Sequence, residues 1–372
     1  MFLKYDAAGM ASGADVDSLL RGALNQLIEG DFQTRWEAAK RLAAFGPDTI
    51  ECLIPLLADA DLDWEARWFI ARTLGEFDHI AALEALVQLL QETTEPELIA
   101  IAAEGLSHFG KRGVEALIPL LEKPSHRLTM VQALANVRDS AIFEPLLALA
   151  HDPAPTIRAL VIPALANFKV PQVDALLLQA VKDTHASVRQ AAITHLGLRS
   201  QLLAQMDLVS ILMPGLWDLS PLVNKATAIA LGRLNTETSV TSLAQVLSSP
   251  HTPESLKIDV VRALGWIEKP SALFALLSAR RQTSVAVQVE IVNTLARFRD
   301  PQLQQRTGEV LYDWLKTDLV SATGSGQVHQ AIALALGQLH HAPALSLLDE
   351  LRQGPNAQTR LYAEAALKQL GA

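Results

Sequence analysis

The residues best suited to chemistry fall in two stretches of this sequence. Trp36, Trp64 and Trp68 lie within 33 residues and are half of the six tryptophans in the chain, with Phe69 and Arg72 beside them. Aromatic rings set next to charged side chains make anchors for a protein partner or a bed for a flat conjugated ligand. Far downstream, the Arg280-Arg281 pair, with Arg297, Arg299 and Arg306 close in sequence, suits an acidic partner or an anionic group. The usual catalytic sets are missing. Cys52 is the single cysteine and sits beside Leu53 and Ile54, so it reads as a core thiol rather than a nucleophile. The ten histidines never fall four apart on one helix, which excludes a zinc-protease pair. Gly324-Ser325-Gly326 lacks the lysine and spacing of a phosphate loop. His340-His341 reads as a solvated turn. These patterns predict no catalytic residue, no metal site and no resident cofactor.

The elements that must position these residues are repeats. A leucine recurs at positions 42, 74, 106, 134, 165, 196, 231, 264, 295, 336 and 367, with a mean spacing of 32.5 residues. Three residues after each anchor stands an apolar residue, with Arg199 as the exception. One residue after it stands Gly, Ala or Ser, up to Lys368 in the last unit. Seven residues before it stand Arg35, Arg67, Ile99, Arg127, Arg158, Arg189, Asn224, Lys257, Gln288, His329 and Arg360. Apolar residues within a unit fall three, four and seven apart, as in Ile70, Leu74 and Phe77, which is the helical period. An earlier apolar helix precedes each, often with proline, as at Pro55, Pro119 and Pro145, and proline predicts a kink there. Asp61, Asp152, Asp183 and Asp218, each six residues ahead of the basic column, are expected N-caps worth about 1 kcal/mol. The arginines are expected to reach the next unit's aspartate. Units of this kind bury their apolar faces only against neighbours, so one continuous domain of about eleven units is expected over 15–372, after an N-terminal tail at 1–14.

Two columns of the second helices are expected to face outward, two and five residues before the anchor. The early members are charged apart from Phe69, and the middle is apolar, with Leu160, Pro163 and Ile229, which marks an interaction strip. The 41-residue interval between Leu295 and Leu336 predicts an inserted loop near 317–327, with Tyr312 and Trp314 just ahead of it. Composition narrows the classes further. Half of the residues are hydrophobic, so the chain is not disordered, yet no apolar run is long enough to span a membrane. The first 185 residues carry 15 basic and 26 acidic side chains and the rest carry 16 and 14. That acidic half argues against a nucleic-acid groove. The first residues lack the apolar core of a secretory signal, and one cysteine allows no internal disulfide, so the expected compartment is the cytoplasm.

Asp183-Thr-His-Ala-Ser-Val-Arg189-Gln-Ala-Ala-Ile-Thr-His-Leu196-Gly197 resembles the second half of a HEAT repeat, and the proline-bearing first helix agrees with it. The short period is similar to the subgroup named after phycobilisome lyases. The resemblance implies an all-α, right-handed α-α superhelix, a HEAT-like solenoid. Its first functional implication is a non-catalytic scaffold or assembly factor that binds protein partners along the concave face. Its second is a bilin lyase subunit or a bilin chaperone, with phycobiliprotein or other photosynthetic complex subunits as partners. In that case Trp36, Trp64 and Trp68 would cradle a tetrapyrrole and Arg72 would meet a propionate. The His-Glu dipeptides that carry the di-iron site of HEAT-repeat hydroxylases do not occur in this sequence.

Overall fold

In a computed structural model, residues 13–371 are described except 125, 138, 322 and 323. The predicted tail therefore lies almost wholly outside the described residues. Among those described there are α-helices and short 3-10 turns, with no strand, and no helix is long and apolar enough to cross a membrane. The chain divides into two compact units, Met1–Phe168 and Lys169–Ala372. The first contains α1 (Gly13–Glu29), α2 (Phe32–Phe45), α3 (Ile50–Ala58), α4 (Trp64–Leu74), α5 (Ile80–Glu92), α6 (Pro96–Ser107), α7 (Gly110–Leu117), α8 (Arg127–Asn136), α9 (Phe143–Leu149) and α10 (Pro155–Leu165). The second contains α11 (Pro171–Ala180), α12 (Ala186–Leu196), α13 (Leu208–Leu212), α14 (Pro221–Leu234), α15 (Glu237–Ser248), α16 (Glu254–Ile267), α17 (Pro270–Ala279), α18 (Val285–Leu295), α19 (Pro301–Val320), α20 (Gly326–Gln338), α21 (Leu345–Arg352) and α22 (Ala357–Leu370).

Every anchor leucine lies on an even-numbered helix, and all eleven are buried. Each such leucine contributes roughly 1.5–3 kcal/mol. The even helices pack on one another in order within each unit, α2 through α10 in the first and α12 through α22 in the second. The small column explains how closely they approach. A Cβ on Gly75 would lie 2.7 Å from Gly105 Cα, and one on Gly197 would lie 2.6 Å from Ala230 Cβ. The residue after one anchor thus meets the residue before the next, and both must be small. Arg199, the charged member of an apolar column, is buried with Asp174 at 3.5 Å.

The basic column has a structural task. Arg189 Nη1 donates to the carbonyls of Asp183 and Thr184 in its own inter-helix turn, at 2.8 and 3.0 Å. Arg158 and Arg360 do the same with the carbonyls six and five residues behind them. Asn224 and Gln288 stand in for arginine and still donate to turn carbonyls. Arg67 Nε reaches Leu57 O at 3.0 Å. The column therefore selects for a long side-chain donor rather than for charge. Its targets are mostly carbonyls of the inter-helix turn, with Leu57 O at the end of α3, and none of these has an intrahelical partner.

The reach to the next unit is present as well. Arg189 holds Asp218 through two hydrogen bonds at 2.7 and 2.8 Å. Arg35 holds Asp63 and Glu65, and Arg127 pairs with Asp152. The aspartates are not N-caps, however. Asp63, rather than Asp61, caps α4. Asp152, Asp183 and Asp218 instead accept the backbone N–H two residues on, before the helix begins. The prolines also act differently from expectation. Pro55 lies inside α3, but Pro119 falls in a 3-10 turn, Ile118–Glu122, that follows α7, and Pro145 is in the first turn of α9. A 3-10 turn or a helix start tolerates the missing N–H better than a helix interior does.

Replacing Arg189 with Ala removes its bonds to the partly buried turn carbonyls and its ion pair with Asp218, which keeps only the Ser220 N–H, and is expected to lower stability by about 2 kcal/mol near neutral pH. The hydrogen bonds from Arg189 hold the Asp218 carboxyl below its ordinary 3.8, against the opposing effect of burial. The native state thus favours the carboxylate, so this contribution is present above about pH 4 and is lost as pH falls through the depressed value. Denaturant titrations of both proteins should show their stability difference shrinking on acidification; a constant difference contradicts the assignment. Gly197→Ala gains about 1 kcal/mol of helix propensity but forces α12 from α14, at about 1–3 kcal/mol. Its melting temperature should therefore fall, and a rise would refute the close-approach argument.

Candidate functional site

The aromatic residues of α2 and α4 meet in the first unit. Phe69 is fully buried, so the expectation that it faces outward is corrected. It packs in the seam between α2 and α4, with ring centroids 5.3 Å from Phe32, 6.3 Å from Trp36 and 5.0 Å from Trp68. Five residues before the anchor, Ile101, Ala226 and Ala331 are buried too, while Glu37 and Tyr362 at the two ends of the column are exposed. Two residues before the anchor is never buried, and this column includes Lys40, Arg72, Glu104, Pro163 and Ile229.

Around Phe69 stands a partly exposed layer. Trp36 and Trp68 are half-buried. The Arg72 guanidinium lies over both rings, 4.5 Å from the Trp36 centroid and 5.7 Å from that of Trp68. Lys40 Nζ is 5.4 Å from the Trp36 centroid. Such contacts are worth about 0.5–2 kcal/mol each, and they hold the indoles in fixed orientations. Phe32 stacks on Trp36 at 6.4 Å and remains 55% exposed, while Trp64, in the first turn of α4, is 51% exposed. Phe32 escaped the sequence reading, although it lies four residues before Trp36 on one helix face, which is a sufficient signal. Phe32 is the exposed ring on this cation–aromatic stack, and Trp64 is a second exposed ring one turn before Trp68 on α4.

The other predicted positions are separate from this cluster. Leu160 is half-buried and Pro163 exposed on α10, beyond α6 and α8 in the packing order of the first unit. Ile229 is half-buried on α14 of the second unit. Cys52 is a half-buried free thiol on α3. His340 is exposed at a φ of 49°, while His341 is half-buried against Tyr312, with burial lowering its pKa.

Arg280 and Arg281 follow α17. Arg280 does not offer a free guanidinium, because it lies 5.1 Å from the Trp314 ring centroid. Burial, then the neighbouring Arg281, hold its pKa below the ordinary value, with Asp318 opposing. Arg281 is exposed. The predicted insertion is mainly helix rather than loop. α19 runs for 20 residues, with Leu303, Leu311, Trp314 and Leu315 buried at helical spacing. Trp314 Nε1 donates to Asp318 at 3.1 Å, and His329 Nε2 lies 3.6 Å from the same carboxylate. Gly324 adopts a φ of +86° where a Cβ would strike Asp318 and His329; residues 322 and 323 lie outside the described set.

Phe69 and Trp64 separate architecture from surface. Phe69→Ala should cost about 3–5 kcal/mol through the cavity left behind, whereas Trp64→Ala should stay within about 0.5 kcal/mol of the parent. Thermal denaturation of the two variants measures both, and equal losses would contradict the exposed placement of Trp64.

Comparison with known proteins follows from this geometry. A comparison with curated proteins finds no match. Among solved structures, the chain is similar to a chain of the Kap95p structure with RanGDP, at a TM-score of 0.61 and 13% identity over 97% of this chain and 56% of that one. It is similar to Kap121p at a TM-score of 0.57 and 14% identity, over 95% and 45%, and to importin beta at 0.56 and 12%, over 96% and 58%. The chain thus spans about half the length of these proteins, and the likeness is one of fold. The family model described as HEAT repeats matches residues 20–107, 114–197 and 173–255. These segments cover more than half of the chain and fall on the same helix pairs as the anchor leucines: the chain belongs to the HEAT-repeat family.

Proposed function

We propose that this chain is a non-catalytic HEAT-repeat scaffold or assembly factor that holds a protein partner on the exposed face of its second helices. The observation that carries this reading is the α2–α4 aromatic layer. Exposed Phe32 stacks on one of two indoles that Arg72 overlies, and exposed Trp64 stands one turn before the other on α4. Rigid Trp and Arg side chains lose little rotamer freedom on binding and dominate the energetics of protein interfaces. The acidic charge of the first half would steer a basic partner surface toward this layer. The proposed compartment is the cytoplasm. The competing reading is a bilin lyase or chaperone with phycobiliproteins or other photosynthetic complex subunits as partners, and it rests on the resemblance of the short repeats to the phycobilisome-lyase subgroup.

The test is capture from native extract with the tagged chain and with a Phe32→Ser/Trp64→Ala variant, both shown to be folded by circular dichroism. Eluates are read by mass spectrometry and visible absorption. The expected result is a colourless eluate with a stoichiometric protein that the variant loses at least about tenfold. Equal retention by the variant removes the aromatic layer from the interface. A coloured eluate carrying phycobiliprotein or free bilin establishes the competing reading.

A further inference from the structure

The second unit contains an open groove of about 340 Å³ between the ends of α16 and α18, lined by Arg262, Trp266, Glu268, Arg297 and Arg299 among others. Its floor is tight, because a Cβ on Gly265 would collide with the Thr294 side chain. The two helices therefore lie in close contact, and the groove is lined by Arg262 and Trp266 of α16 and by Arg297 and Arg299 after α18.

The charges in this groove are not balanced internally. Arg262 is committed, with its Nε donating to Glu290 at 2.7 Å and Asp259 at 4.0 Å from Nη1. Arg297 and Arg299 are exposed and make no side-chain hydrogen bond or ion pair among the described residues. Glu268 lines the same groove and forms no ion pair among those residues. Asp300 is turned to the N–H of Leu303, where it caps α19. Glu268 and the carboxyl end of α16 together bring about one and a half negative charges against the two free guanidiniums. Two unpaired guanidiniums thus stand open on a chain whose net charge is −9.

Trp266 adds a second signal, because its ring is 55% exposed beside those guanidiniums. This combination is not a default of the repeat. The matching groove of the first unit, between α6 and α8, places His108 and Asn136 in the columns of Trp266 and Arg297, and Glu104 in that of Arg262. An inorganic anion would satisfy the arginines but leave the indole bare. An extended peptide covers both.

We propose that the α16–α18 groove binds an acidic peptide segment of a protein partner, with its carboxylates on Arg297 and Arg299 and an apolar or aromatic side chain laid on Trp266. This rests on the protein-binding reading above and assigns it a second contact of defined chemistry. The experiment selects random short displayed peptides on the whole chain, and in parallel on Arg297→Glu/Arg299→Glu and Trp266→Ala variants. All three substituted residues are solvent-exposed, and circular dichroism checks the fold. Selection on the parent should enrich Asp or Glu next to an apolar residue. The best peptide should weaken at least about tenfold in each variant, and progressively as salt rises. Millimolar phosphate should not displace it. Absence of acidic enrichment, or equal binding by the charge-reversed variant, overturns the proposal. Displacement by phosphate overturns it in favour of a small-oxyanion site. Phe32→Ser/Trp64→Ala should bind the peptide normally, so failure of the groove and failure of the aromatic layer are read separately.

Discussion

The structure depends on side-chain donors near the start of the second helices, a column in which Ile99 of α6 is the member that cannot donate. A helical hairpin ends its first helix with carbonyls that have no intrahelical partner, and its turn adds more. Arg158, Arg189, Asn224, Gln288 and Arg360 reach back to those carbonyls from the first turn of the following helix. That contact ties the second helix of a unit to the turn that precedes it. Where the donor is arginine, spare N–H groups reach forward to an acid of the next unit, as from Arg35 to Asp63 and from Arg189 to Asp218. One side chain thus closes its own hairpin and fixes the spacing to its neighbour. Asn224 and Gln288 keep the first task only.

With spacing set this way, the leucine and small columns follow. The leucines fill the space between neighbouring second helices, and Gly75, Gly197 and Gly232 let backbones come into contact beside them. Close approach at one level leaves the adjoining outward positions free to vary. Variation there separates the units. α2 and α4 present aromatic rings over a cation, α6 and α8 present small polar residues, and α16 and α18 present an indole among arginines. Function in such a fold resides in the outward columns, while the inward columns keep the architecture constant.

The repeat, its helical class and its core were legible in the sequence because each depends on spacing along the chain. Leu42 through Leu367 recur on a period that only a stacked hairpin can bury. The aromatic layer was half legible. Trp36 and Trp68 share one repeat position, so their neighbourhood follows from the period, and Arg72 lies one turn beyond Trp68. Phe69 was misplaced, because a position five residues before the anchor changes from outward to inward with the local closeness of the helices. The insertion near Trp314 was read as a loop because its length was counted while its apolar spacing was not.

The amino-acid order determined which residues recur, that they form helices, and which stripe is apolar, since these are properties of neighbours along one chain. Tertiary structure decided the partners of the polar residues. Asp63 both caps its own helix and receives Arg35 from the preceding unit, whereas Asp218 receives Arg189 without capping, and the same pattern is compatible with either. It also decided that Arg280 is covered by Trp314 while Arg297 and Arg299 remain open. The charge of an arginine is written in the sequence, but its availability depends on what the fold places within about 4 Å of it.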